Sequence, residues 1–315
     1  MNPVQLYPIS PKLTATDFRD VDLLYETILK ALPEKKTDAD ETVLVFPEYF
    51  GLGFFIAQGG EAALKARSIP AAMGELIRKH LGRVAWHFFK TYLDFFVGPA
   101  DQRFRRAIFQ TYAPDVWLLY RALFSNLAEA HQSWVVAGSI LMPELVPGGK
   151  NGLEIVGDKL YNQSVVFNPN GEIAGVVTKI HLTPEEAGFV NAGSLEKWRP
   201  IQTGWGKLAV MICADCWYPE LYSRSLQYGA THYAVPAMVS PNTAWSSPWR
   251  GYKPKASTPA DIPHELVGQI SEAEAWERFG LVGRLKNIRH AGGVISQFQG
   301  AFLDLTATGE SQVIL

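Results

Sequence analysis

Short apolar runs recur along the whole chain, and most are bounded by Gly, Pro or Asn. They are Val43–Phe46, Trp134–Ala137, Ser164–Phe167, Ile173–Val177, Leu208–Ile212 and Tyr233–Pro236, and three more close the chain at Gly293–Ser296, Ala301–Leu303 and Gln312–Leu315. Their length and their content of β-branched residues predict strands, and near-continuous apolar character predicts burial on both faces. Between them the period changes. Asp20 to Leu32 carries apolar residues at 21, 24, 28 and 32, the spacing of one helix face. Leu118 to His131 also reads as a helix, as does Pro219 to Tyr228, where Pro219 suits a first helical position and Gly229 the residue past the end. Asn168-Pro169-Asn170-Gly171 joins two strands as a hairpin turn. Strands, helices and a hairpin together predict an α/β fold with a mixed sheet, and no linker or repeat divides residues 1–315.

Two segments depart from this rhythm and read as insertions. Residues 86–124 hold twelve aromatic residues. Trp86, Phe89, Leu93 and Phe96 within them fall at helical spacing, which predicts a buried helix face, the alternatives being a lid, an acyl-pocket wall or a subunit contact. Residues 246–272 are punctuated by Pro and Lys without a clear period and predict a surface loop.

Composition narrows the class. The chain has 315 residues, 47% of them hydrophobic and 19% charged, with a formal net charge of -2. That is ample for a large core and excludes a disordered chain. The balance of charge offers no surface for nucleic acid or an anionic membrane. No apolar run has the length of a membrane span; Val84 to Val97 is interrupted by His87, Lys90 and Asp94. The first residues, Met1 to Pro8, lack the basic and apolar regions of a signal peptide. A soluble cytoplasmic protein is the expectation.

Three strands end on reactive side chains. Val43–Phe46 runs into Glu48, Ile173–Thr178 into Lys179, and Leu208–Ile212 into Cys213. Ligands of α/β sheets bind beyond the carboxyl ends of the strands, so these residues converge if the strands are parallel neighbours. A carboxylate within reach of a thiol can take its proton. An ammonium beside them favours the thiolate and the oxyanion formed when sulfur attacks a carbonyl or nitrile carbon. The N–H of Ala214 is a natural second donor to that oxyanion. Cys213 and Cys216 also form a C-x-x-C, which admits a redox dithiol or half of a zinc site. The redox reading wants the first cysteine at a helix N-terminus, whereas Pro219 places the helix later, and the seven histidines show no zinc spacing. Neither a redox dithiol nor a zinc site is therefore expected.

The chain resembles the nitrilase superfamily of carbon–nitrogen hydrolases. The resemblance rests on Phe46-Pro47-Glu48, Gly138-Ser139, Tyr161-Asn162-Gln163-Ser164, Lys179 to Glu186, Ile212-Cys213-Ala214-Asp215 and Tyr218-Pro219-Glu220, in the family's order. It implies a four-layer αββα sandwich with two mixed sheets in a single domain, with no metal or organic cofactor. It also implies Glu48 as base, Lys179 as oxyanion stabiliser and Cys213 as nucleophile. A second glutamate shortly after the lysine falls on Glu186, or on its neighbour Glu185. Asp215 is expected to bind backbone in the turn and His181 to be a structural strand-end residue. Trp217, Tyr218, Pro236 and Ala237 are candidates for the pocket wall; Trp245 and Trp249 could also shape it, although core packing is the expected role of these tryptophans. Cys213-Ala214-Asp215 departs from the Cys-Trp-Glu of true nitrilases and lies closer to amidases, ω-amidases and carbamoyl-cleaving members.

The expected activity is therefore an amidase working through a thioester, with nitrilase or N-carbamoyl hydrolase as alternatives. Acyl transfer and a non-catalytic binding or regulatory homologue are the remaining rivals. The partner is a small amide, carbamoyl compound or nitrile, and a homodimer or larger homo-oligomer is implied. Gly309 to Leu315 resembles the family's late Gly-x-Ser strand, with no longer tail behind it.

Overall fold

A computed structural model describes residues 4–34, 41–93, 99–148, 152–251 and 258–315. The first half alternates strands with helices: β1 (Val4–Pro8), β2 (Leu13–Thr14), α1 (Val21–Leu29), β3 (Glu41–Val45), then α2 (Leu52–Gln58), α3 (Glu61–Leu64), α4 (Ile69–Lys79), α5 (Leu81–Leu93) and α6 (Ala100–Ala130). Strands β4 (Trp134–Val136), β5 (Ile140–Pro147), β6 (Leu153–Phe167) and β7 (Ile173–Thr178) follow, then α7 (Pro184–Ala187), β8 (Ile201–Thr203) and β9 (Gly206–Val210). The remainder is α8 (Pro219–Gln227), β10 (His232–Ala237), α9 (Glu272–Phe279), α10 (Leu281–Leu285), β11 (Gly292–Gln297), β12 (Gln299–Phe302), β13 (Leu305–Thr308) and β14 (Gln312–Ile314).

The strands form two large mixed sheets. One runs β1-β3-β4-β6-β5 with β7 also paired to β6; the other runs β14-β11-β10-β9-β8. A small third sheet, β13-β12-β2, adds to the two that the sequence predicts. The period-two alternation of β3 shows how the layers are made. Val43 and Val45 pack with Leu208, Val210 and Val294 of the facing sheet, whereas Leu44 faces the other way, into the core shared with α1, α2 and α6. Leu221 of α8, Trp276 of α9 and Leu281 of α10 pack on the second sheet. The result is the αββα sandwich. The hairpin is where its residues require it: β6 and β7 pair antiparallel across Asn168–Gly171, and Gly171 takes φ +74°.

The aromatic block departs from expectation in two ways. The helix read from Leu118 begins at Ala100 and carries Pro114 inside it. In α5, Trp86 and Phe89 are 68% and 64% exposed, so the stripe assigned to the core faces outward. The inward side is Val84, and Phe88 stacks on Phe104 of α6 with centroids 4.1 Å apart. The side chain of Leu93 and the whole of Phe96 lie outside the described residues. Among the described residues, no helix is long and apolar enough to cross a membrane.

Candidate active site

The three strand ends meet, but not as parallel neighbours in one sheet. β3 and β7 belong to one sheet and are separated by β4 and β6, while β9 belongs to the other. Convergence comes from stacking the sheets, which sets the carboxyl ends of β3 and β7 against that of β9. The peptide N–H of Glu48 crosses to the carbonyl of Ala237 at the end of β10 (3.3 Å).

Glu48 is carried by a turn that depends on the Gly138-Ser139 pair. A Cβ on Gly138 would come within 2.3 Å of the Pro47 carbonyl, so glycine is required for this approach. Ser139 Oγ accepts the N–H of Tyr49 (2.9 Å), which sits at φ +60°. Lys179 is placed by its N–H donating to the carbonyl of Asn162 (2.9 Å), an extension of the β6–β7 ladder. Cys213 opens a short 3-10 turn, Cys213–Trp217, directly after β9, ahead of the Pro219 helix. It holds φ +50°, a left-handed conformation that costs a non-glycine residue about 1–3 kcal/mol and commonly marks functional turns.

Buried charge is concentrated at this point. Lys179 is 0% exposed and Glu48 and Glu186 are each 2% exposed. Lys179 Nζ donates to Glu48 Oε1 and to Glu186 Oε2, both at 2.7 Å. Asn162 Nδ2 bridges the same carboxylates, at 3.0 Å to Glu48 Oε1 and 2.9 Å to Glu186 Oε1. Glu186 also accepts from the Tyr49 hydroxyl (2.5 Å) and the Thr183 N–H (2.9 Å). Of the two glutamates, Glu186 enters this cluster, and Glu185 lies on the wall of the adjoining cavity.

The electrostatics follow from burial and pairing. Burial would lower Lys179, but Glu186 and Glu48 outweigh it and hold the amine well above its ordinary value. Burial raises Glu48 to about 7 against the pull of Lys179, with Glu186 adding to the rise. Burial would raise Glu186 too, but Lys179, Tyr49 and Thr183 hold it below its ordinary value. The Cys213 thiol donates to the Met238 carbonyl (3.8 Å), with the Glu48 carboxyl and the Lys179 ammonium as its charged neighbours. Burial, with the Glu48 charge, pushes that thiol well up despite Lys179. A thiol raised in this way depends on a base to take its proton.

Asp215 organises the turn from beneath. It is fully buried, and it accepts the N–H groups of Ile180 (3.1 Å), His181 (2.7 Å) and Ile212 (3.4 Å), tying the Lys179 strand end to the Cys213 turn. His181 is structural: its Nδ1 pairs with Asp215 Oδ1 and its Nε2 with Glu220 Oε1, each at 3.0 Å, and its ring stacks on Tyr218 at 3.4 Å. Cys216 is fully buried, and burial pushes its thiol far up. Replacing Asp215 with alanine strands three peptide N–H groups, and we expect a loss of about 3 kcal/mol or more, read from denaturant unfolding.

A cavity of about 540 Å³ opens on Cys213 and Ala214. Its wall corrects the sequence reading. Trp217, Tyr218, Pro236 and Ala237 do not line it; Met238, Val239, Trp249 and Trp276 do. Trp217 is fully buried behind the wall, and Ala237 spends its carbonyl on Glu48 and Phe298. The 246–272 segment is more than a surface loop, because Ser247 to Gly251 and Glu272 form one side of the cavity; residues 252–257 lie outside the described residues. Tyr49 and Asn162 are the cluster members that sequence reasoning left without a role.

Comparison with known proteins decides the family. The family model described as carbon-nitrogen hydrolase matches residues 14–251. The chain belongs to the carbon–nitrogen hydrolase family. It is 35% identical over 120 residues to the omega-amidase of Saccharomyces cerevisiae, covering 36% of this chain and 38% of that protein. It is 39% identical over 114 residues to a nitrilase of Pyrococcus abyssi, covering 36% of this chain and 42% of that protein. Each match therefore spans about two fifths of the relative's length. The fold is shared over nearly the whole chain with a carbon–nitrogen hydrolase from Helicobacter pylori, at TM-score 0.56 and 18% identity, covering 99% of this chain and 81% of that one.

Proposed function

We propose that this member of the carbon–nitrogen hydrolase family is an amidase that cleaves non-peptide C–N bonds through a thioester on Cys213. The observation that carries the reading is the cluster itself: Glu48 pairs with Lys179, both charges act on the neighbouring Cys213 thiol, and the sulfur opens on a cavity of small-molecule size. The kinship to proteins named omega-amidase and nitrilase supports the same chemistry, and Cys213-Ala214-Asp215 favours the amidase.

The steps balance as follows. Sulfur attacks the amide carbon as Glu48 takes the thiol proton, forming the C–S bond. The oxyanion is met by Lys179 and the N–H of Ala214. Glu48 then gives its proton to the nitrogen, the C–N bond breaks, and ammonia or an amine departs. Water enters, yields a proton to Glu48 and attacks the thioester. The C–S bond breaks, and the proton returns to sulfur as the acid leaves. Glu186 holds Lys179 and keeps it charged throughout.

Glu48 must be ionised to begin, and its value stands near 7. We therefore expect kcat/KM to rise with pH along an acid limb centred near 7, and to be low at pH 5.5 although ordinary glutamates are ionised there. A pH–rate profile on a primary amide checks this. A flat profile between pH 5.5 and 8 would remove Glu48 as the base.

A further inference from the structure

The cavity beside Cys213 carries an acidic group that the hydrolytic steps do not use. Glu272, the first residue of α9, lines the same cavity, and its Oε1 accepts the indole N–H of Trp276 at 3.2 Å. Trp276 and Trp249 line it too, both nearly fully buried. They are fixed from behind by Trp217, which stacks on Trp249 (5.7 Å, 18°) and meets Trp276 edge-on (5.4 Å, 80°).

A glutamate in a first turn ordinarily serves the helix end. Here that duty is filled by others: Ser271 Oγ accepts the N–H of Glu274, and Glu274 Oε2 accepts the N–H of Ser271. Glu272 is instead partly stripped of water. Burial raises it to about 7, opposed only by the Trp276 bond. Of the other charged groups on this wall, Glu185 adds negative charge, and Arg250 is exposed. Among the described residues, no ion pair joins Arg250 to Glu272.

A half-buried carboxylate beside two indoles, with no ion-pair partner among the described residues, is complementary to a ligand cation. It offers an ion pair on the oxygen that Trp276 does not hold, and the ring faces add cation–π attraction. Resting on the amidase reading above, we propose that the cavity selects amides whose acyl part carries a cationic nitrogen, bound by Glu272 with Trp249 and Trp276.

The test separates binding from turnover. In Cys213→Ala, which holds the ligand without consuming it, calorimetry compares 5-aminopentanamide, pentanamide and 4-carbamoylbutanoate. We expect the ammonium compound to bind about tenfold or more tighter than the neutral one at pH 8, and the preference to shrink several-fold at pH 6 as Glu272 takes a proton. Adding Glu272→Gln should bring the preference close to one. Equal affinities, a preference for the carboxylate through Arg250, or a preference that survives Glu272→Gln would each overturn the proposal. Ammonia release by the unsubstituted enzyme is measured separately. Its absence on all three compounds would count against the amidase reading, while the affinities alone decide the role of Glu272.

Discussion

Cys213→Ala is expected to lower kcat by about 10⁴-fold or more, with the fold intact. The second cysteine cannot replace the sulfur. Cys216 is fully buried and its thiol is held far above the range in which it would react. Stability should change little, because the alanine removes one sulfur from the rim of a cavity and leaves the Lys179 pairs untouched. Acid-quenched intact mass closes the argument: the unsubstituted enzyme should show an acyl increment on the Cys213 peptide during turnover, and the variant none. An alanine variant that hydrolyses amides at the full rate would overturn the mechanism.

Lys179→Met is the second large effect, and it combines chemistry with stability. The ammonium is fully buried and joins two buried carboxylates at 2.7 Å each. Methionine fills similar space but leaves Glu48 and Glu186 facing one another, with Asn162, Tyr49 and Thr183 as the remaining donors among the described residues. Removing one partner of a buried ion pair typically costs about 3–5 kcal/mol, since the remaining charge has no solvent. Losing an oxyanion donor costs about a further 10²–10³-fold in kcat. We therefore expect a thermal midpoint lower by roughly 5–15 °C together with nearly complete loss of activity. Calorimetry and amide kinetics on the same sample check both. A variant that keeps its midpoint would mean that the carboxylates are not dependent on Lys179.

The buried charged cluster was partly legible because three of its members follow strands. Glu48, Lys179 and Cys213 were legible as reactive side chains at the ends of apolar runs, and their ordered motifs carried the family resemblance. What stayed hidden depends on through-space geometry. Asn162 sits inside a quoted motif, yet its bridge between two carboxylates exists only because β6 pairs antiparallel with β7. Tyr49 reaches Glu186 from a left-handed backbone position that no local pattern announces. Of the tryptophans that could shape the pocket, Trp249 lines it, whereas Trp217, although adjacent to the Cys213 turn, lies behind Trp249 and Trp276, and Trp276 comes from a segment with no local signal. The helix at Leu118 was cut short because Pro114 interrupts its pattern; tertiary packing of Tyr112, Val116 and Tyr120 carries it through. Periodicity found α5 but not its inward side, since aromatic residues occupy both.

In the mechanism proposed above, the nucleophilic thiol comes from one sheet, and its proton acceptor and counter-charge come from the other. Neither half of the sandwich can be chemically competent by itself, so a nascent or partly collapsed chain carries an idle cysteine rather than an indiscriminate acylating centre. Recovery of turnover after dilution from denaturant thus reports the final docking of two halves, a later event than the return of helical and strand signals.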